Sequence, residues 1–232
     1  MESFLSSQTR RFPCPTVTGV HRLAIAVLAV VLSGCAATDS GIASTVGVRA
    51  AGCESIDRFG TGVVVSGPDG PVVVTSAHTV TGATSITVVA GHEHPVELVA
   101  FDPASDLALL SAPEGPTPAS VARTIDRGEP GRLIVWEPDG RFIETEVEVR
   151  RLLRVTIEDI FVELEVQRLA FEINSTTTRG DSGAPVFNDK GSVLGVIYAR
   201  SRERQASFAV RYEEITALMQ TPTIPPSASR CR

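Results

Sequence analysis

Ser182 sits in the run Gly180-Asp181-Ser182-Gly183-Ala184-Pro185, where small residues keep a hydroxyl open on a tight turn. A serine oxygen is a poor nucleophile at neutral pH. It needs a base within hydrogen-bond reach and a group behind that base to fix the imidazole tautomer. Two upstream runs offer those residue types. Thr75-Ser76-Ala77-His78 closes an apolar run with an imidazole, and Asp102-Pro103-Ala104-Ser105-Asp106-Leu107-Ala108-Leu109-Leu110 carries two carboxylates. Asp102-Pro103 has turn chemistry, so Asp106, directly before the apolar stretch, is the preferred partner of His78. In these roles Ser182 attacks a carbonyl carbon, His78 takes and returns the proton, and Asp106 stabilises the imidazolium. Each piece alone has a plainer reading: a histidine after a strand is usually structural, and Gly-Asp-Ser-Gly makes a good surface turn. The order His, Asp, Ser gives the set its weight.

Holding three such residues together requires a framework, and the chain reads as short β-strands separated by turns. Ser44–Ala50 alternates, Gly60–Val65 is β-branched, Ser66-Gly67-Pro68-Asp69-Gly70 is a turn, and Pro71–Thr75 returns to the histidine. Further β-rich runs follow at Ser85–Ala90, Val96–Phe101 and Leu107–Ser111. Pro113–Pro118 reads as a linker. A second series covers Arg132–Trp136, Phe142–Arg150, Ile160–Leu164, Leu169–Ile173, Pro185–Asn188, Val193–Ala199 and Phe208–Val210. Val155–Asp159 is ambiguous, and Arg151–Arg154 fits a helix as well as a strand. Regular short strands with turn signals suggest barrels or a sandwich. Tyr212–Gln220 carries apolar residues at helical spacing and predicts a short C-terminal helix, followed by a Pro/Ser tail at 221–232.

The ends and the charge set the compartment. Arg10, Arg11 and Arg22 precede the apolar run Leu23–Leu32, which is too short to span a bilayer as a mature helix and suits a signal peptide. Leu32-Ser33-Gly34-Cys35 resembles a bacterial lipobox, which implies cleavage after residue 34, lipidation of Cys35 and a tether over residues 35–43. An ordinary secretory signal with a chance cysteine is the alternative. Either way the mature chain leaves the cytoplasm, to a bacterial envelope membrane if anchored. Loss of residues 1–34 removes one acidic and three basic residues and moves the net charge from −6 to −8, which argues against nucleic acid as a partner. Cys53 and Cys231 then remain as an even pair in an oxidising compartment, a candidate disulfide, with two free thiols as the alternative.

Together the three motifs resemble the chymotrypsin-like serine proteases over about Val46–Leu218, closest to bacterial trypsin-like and HtrA-like members. Gly60-Thr61-Gly62, Asp106-Leu107-Ala108-Leu109-Leu110 and Gly191-Ser192-Val193-Leu194-Gly195-Val196 look like that group's strands. The resemblance implies an all-β fold of two six-stranded barrels, about 44–112 and 119–211, within a protease domain spanning 44–220. It implies a serine endopeptidase with catalytic His78, Asp106 and Ser182, an oxyanion hole from the amides of Gly180 and Ser182, and protein or peptide substrates. A catalytically silent binding or sensing module on the same fold is the competing reading. By the same resemblance Thr176 lies at the base of the primary pocket and Tyr198-Ala199-Arg200 form its wall. With no acid at that base, a preference for Arg or Lys is not expected. The chain is also similar to anchored periplasmic proteases of actinobacteria, where a disulfide can join the domain's start to its end, and Cys53 and Cys231 sit suitably.

Two departures follow. Too few residues follow Met219 for a PDZ domain, and a lipid-modified N-terminus could not activate the enzyme by burying a free amine against Asp181. Asp181 therefore needs another partner, for which Arg179 is a candidate. Arg200, Arg202 and Arg204 suit acidic substrates, but a solvated hairpin rim explains them equally. His92 and His94 have no distant ligands and read as a hairpin tip, so no metal or cofactor is expected. The sequon Asn174-Ser175-Thr176 falls in the expected substrate pocket and is discounted.

Overall fold

Valines and leucines at alternating positions divide each strand between two cores, and that alternation organises the molecule. In a strand successive side chains face opposite ways. In β2 (Arg58–Gly67), Val63 and Val65 join a cluster with Ile134, Phe187 and Ile215, whereas Val64 joins a second cluster with Val46, Val73 and Phe101. In β7 (Leu107–Ser111), Leu107 and Leu109 go with the first set and Ala108 and Leu110 with the second. One cluster thus lies within the first sheet and the other lies between the two sheets. A third, around Val149, Phe171, Leu194 and Ile197, fills the second sheet.

The computed structural model describes residues 41–52 and 56–231. The signal segment 1–34, Cys35, the start of the tether and Cys53 lie outside the described residues. In addition to β2 and β7, the first sheet contains β1 (Thr45–Ala51), β3 (Gly70–Ser76), β4 (Ser85–Ala90), β5 (His92–Val96) and β6 (Leu98–Asp102). Its seven antiparallel strands run in the order β5-β4-β1-β2-β3-β7-β6. The second sheet is a closed ring of six, β10-β13-β12-β11-β8-β9. It is built from β8 (Pro130–Trp136), β9 (Phe142–Glu158), β10 (Glu165–Ile173), β11 (Pro185–Asn188), β12 (Val193–Arg200) and β13 (Ser207–Arg211). A one-turn helix α1 (Ala77–Val80) follows β3, and α2 (Tyr212–Gln220) follows β13 as expected. The fold is of the chymotrypsin type.

The extra strand in the first sheet is β5, which takes in the expected hairpin tip at His92 and His94 and ends on Val96, the first residue of the run Val96–Phe101 expected as one strand. That run divides at Glu97, so that β5 pairs with β4 while β6 pairs with β7 through a register shift between Leu98 and Ala100. The sheet's two edge strands are therefore consecutive in sequence, and the sheet curls into a half-barrel.

The β9–β10 hairpin also differs from expectation. Arg151–Arg154 continue β9 as strand, with no helical turn. Ile160–Leu164, expected as a strand, is the hairpin's turn. The Asp159 carboxylate accepts the backbone N–H groups of Phe161 and Glu163 at 3.0 and 3.1 Å, and Val162 is held at φ 60°. The apolar run misled because Ile160 is buried against the first sheet rather than in its own barrel. The tail beyond α2 returns to that sheet as well: Thr223 and Ala228 carbonyls accept the N–H groups of Phe101 and Gly82.

Candidate active site

The base is placed by the abrupt end of β3. Ser76 occupies the N-cap position of α1, its hydroxyl 2.7 Å from the hydroxyl of Thr79 rather than on a backbone N–H, and His78 is the second residue of this single turn. Arg58 secures the turn from β2 by donating to the carbonyl of His78 at 3.0 Å and to that of Thr81. Nothing in the strand pattern of β2 marks Arg58 for that task.

The acid comes from the β6–β7 connection. Asp102 serves as the turn residue expected of it, its carboxylate accepting the N–H groups of Ala104 and Ser105 and the Ser105 hydroxyl. Asp106 follows in the left-handed region at φ 62°, which its short polar side chain tolerates better than most. It is 4% exposed. Its Oδ1 accepts the backbone N–H of His78 at 2.9 Å, and Oδ2 lies 2.8 Å from His78 Nδ1. An ionised carboxylate only accepts, so Nδ1 carries the proton and Nε2 is free to accept. Ser182 Oγ stands 2.8 Å from that Nε2.

The serine's turn links β10 to β11. Gly180 and Gly183 adopt φ 100° and 83°. The N–H of Gly183 donates to the Ile197 carbonyl at 2.7 Å, and the Ser182 carbonyl accepts the N–H of Thr61 at 2.9 Å. A Cβ on Gly183 would stand 2.0 Å from the Thr61 carbonyl oxygen, so only glycine fits there. Among the described residues, the backbone N–H groups of Gly180 and Ser182 make no hydrogen bond to the protein. They border a cleft of about 560 Å³ lined also by His78, Phe59, Trp136 and Arg179.

Asp181 does not pair with Arg179. Its carboxylate accepts the N–H of Thr178 at 2.7 Å and the Thr178 hydroxyl at 3.2 Å. Burial pushes its pKa above the ordinary carboxylate value, although the Thr178 hydrogen bonds and the Arg200 charge pull the other way. The three-residue spacing from Thr178 to Asp181 is a local turn signal that points to this partner without reference to charge.

Thr176 and Arg200 do meet, on a second cleft of about 600 Å³ with Arg202, Glu203 and Arg204. Arg200 also donates to the carbonyl of buried Thr177 at 3.3 Å. Tyr198 turns elsewhere: its ring lies under the guanidinium of Arg168, 4.6 Å from the ring centroid, and joins the core between the sheets. Ala199 follows a register shift in the β12–β13 pairing and stands opposite Phe208. Arg204 and Arg151 both bond to the buried carboxylate of Glu172, which ties that arginine to the barrel wall. His92 and His94 lie on β5 with ring centroids 4.0 Å apart and planes tilted by 41°.

Comparison with known proteins gives a consistent picture. A family model described as a trypsin-like peptidase domain matches residues 60–196, a span that contains His78, Asp106 and Ser182. The chain is 36% identical over 144 residues to the serine protease Rv3671c of Mycobacterium tuberculosis, covering 60% of this chain and 35% of that protein. It thus spans about a third of the length of the curated relatives it matches. The crystal structure of the active form of the Rv3671c protease superposes with a TM-score of 0.75 at 26% identity, over 99% of both chains. The HtrA-type protease AlgW with tripeptide superposes with a TM-score of 0.67 at 20% identity, over 80% of this chain and 62% of that one, a likeness of fold alone.

Proposed function

Because the chain belongs to the trypsin-like peptidase family, we propose that it is an exported, lipid-anchored serine endopeptidase that cleaves peptide bonds through an acyl-enzyme. The observation that carries this reading is the chain of two 2.8 Å contacts from Asp106 through His78 to Ser182. The Ser182 oxygen attacks the scissile carbonyl as its proton moves to His78 Nε2, and the imidazolium is stabilised by the buried Asp106 carboxylate. The unengaged amides of Gly180 and Ser182 are the donors for the oxyanion, an interaction whose loss typically costs about 100- to 1,000-fold in rate. His78 then protonates the leaving amine, and water resolves the acyl-enzyme by the reverse relay.

A fluorophosphonate probe tests the activity. Covalent labelling of Ser182 in the intact chain, abolished by Ser182→Ala, is expected. Folded protein that never labels defeats the enzyme reading and favours a binding module.

The anchor rests on Leu32-Ser33-Gly34-Cys35 following an apolar run behind arginines. Cys35→Ala is expected to move the mature protein from the membrane fraction to the soluble one; unchanged fractionation would sink the anchor. We further propose that Cys53 pairs with Cys231. In support, Cys231 is disulfide-bonded, and its neighbour Arg230 is held by Thr81 and Glu163. Non-reducing peptide mapping that links Cys231 to any other cysteine would overturn the pairing.

A further inference from the structure

Arg168 on β10 is 3% exposed, a costly place for a guanidinium unless its donors and its charge are met. Among the described residues it forms no ion pair. Instead Nε and Nη2 both donate to one acceptor, the carbonyl of Ala104, at 2.9 and 2.6 Å, while the guanidinium lies over the Tyr198 ring. Ala104 is two residues before Asp106, in the loop of the other sheet. The adjacent carbonyl, that of Pro103, accepts the N–H of Ile160 at 3.2 Å. Both donors belong to the β9–β10 hairpin.

Within its own sheet the Asp102–Asp106 loop is tied by the Asp102 carboxylate, which takes up the N–H groups of Ala104 and Ser105. The carbonyls of Pro103 and Ala104 are left to the neighbouring barrel. Asp106 emerges from this doubly held segment at φ 62°, with both carboxylate oxygens directed to His78. A guanidinium that donates twice to one oxygen restrains that oxygen in direction as well as distance, which a flexible amine cannot do.

We infer that Arg168 is a positioning residue of the catalytic triad, a cross-barrel strut that fixes the Ala104 carbonyl and thereby the orientation of the Asp106 carboxylate. The inference rests on the triad reading above. Arg168 touches neither substrate nor the reacting atoms. It acts through the loop, so its loss should lower the rate of chemistry while leaving substrate binding alone.

The test compares Arg168→Met and Arg168→Lys with the wild-type chain in peptide hydrolysis, fluorophosphonate labelling rate, and the low-field proton resonance of His78 Nδ1–H. Arg168→Met is expected to lose roughly 10- to 100-fold in kcat and labelling rate, the scale of a small misplacement, with KM within about twofold. Its Nδ1–H resonance should shift or broaden. Arg168→Lys, which keeps the charge and one donor, should recover part of the loss. Labelling of Arg168→Met at the wild-type rate, a rise in KM with kcat unchanged, or a lysine variant no better than methionine would each overturn the inference. Should Arg168→Met fail to fold, Arg168→Gln replaces it, and an unperturbed resonance there is equally fatal. Wild-type protein that never labels defeats the triad reading instead, and the resonance then still reports whether Arg168 sets the His78–Asp106 geometry.

Discussion

The two sheets solve the same problem in different ways. The second is a closed ring, and its serine turn is held largely by its own strands, through Gly183 to Ile197 and Ile197 back to Ala184. The first is a half-barrel: Arg58 of its own β2 holds the turn of His78, but the loop before Asp106 also leans on segments from outside. The tail bonds to Phe101 and Gly82, while the β9–β10 hairpin bonds to Pro103 and Ala104. Closure of a sheet removes its free edges, and an open sheet must have them managed by other parts of the chain. The serine turn therefore has mainly local support, with one bond to Thr61 of the first sheet, and the loop that carries Asp106 has a distributed one.

Asp106→Asn separates chemistry from support most sharply. Asparagine tolerates the left-handed backbone at φ 62°, so the loop should persist. The amide cannot hold the imidazole in the required tautomer, and kcat should fall on the order of 10⁴-fold. A loss below about tenfold would mean that Asp106 is not the orienting acid.

Gly183→Ala attacks the contact of the serine turn with the first sheet. It places a Cβ at 2.0 Å from a backbone oxygen of β2 and strains a φ of 83°. Destabilisation of more than about 4 kcal/mol in urea titration is expected, in the range reserved for severe packing faults. A drop of less than about 1 kcal/mol would show that the serine turn is not held against the first sheet as described.

Val162→Gly probes the distributed support at the hairpin tip. A β-branched residue at φ 60° is strained, and glycine there should raise stability by about 1 kcal/mol without altering kcat. An unchanged denaturation midpoint would remove the strain argument.

The smallest effect concerns Asp181. Its folded-state pKa is raised, so the folded chain binds that proton more tightly and stability falls as pH rises from about 4 through the raised value. Thermal melts should show Asp181→Asn gaining on the wild type across that interval. Parallel melting curves would mean that burial does not dominate at this carboxylate.

Legibility in the sequence followed the same division. Strands bounded by glycine, proline and aspartate read well: Ser85–Ala90, Leu107–Ser111 and Pro185–Asn188 stand as expected, as does α2. The three catalytic candidates were legible because each lies beside a local signal, a strand end, an apolar run or a glycine turn. What escaped was long-range. Glu97 cuts Val96 from the rest of its apolar run, because Val96 pairs with β4 while Leu98 onward pairs with β7. The Ile160–Leu164 segment reads as a strand by its apolar residues, yet only Ile160 and Phe161 pack, in a core outside their own barrel, while Val162 and Leu164 are exposed. Arg168 left only a faint mark, a charge on the β10 face shared with buried Ala170, and its purpose appears only when the other sheet is brought beside it.

The separation of 104 residues between His78 and Ser182 has a consequence for biosynthesis. A growing chain makes the imidazole and the carboxylate before the serine turn, and before the hairpin and tail that brace their loops. Even then the hydroxyl reaches the imidazole only when Thr61 and the Ser182 carbonyl meet as the halves dock. The geometry proposed for hydrolysis is thus complete only when the two sheets meet.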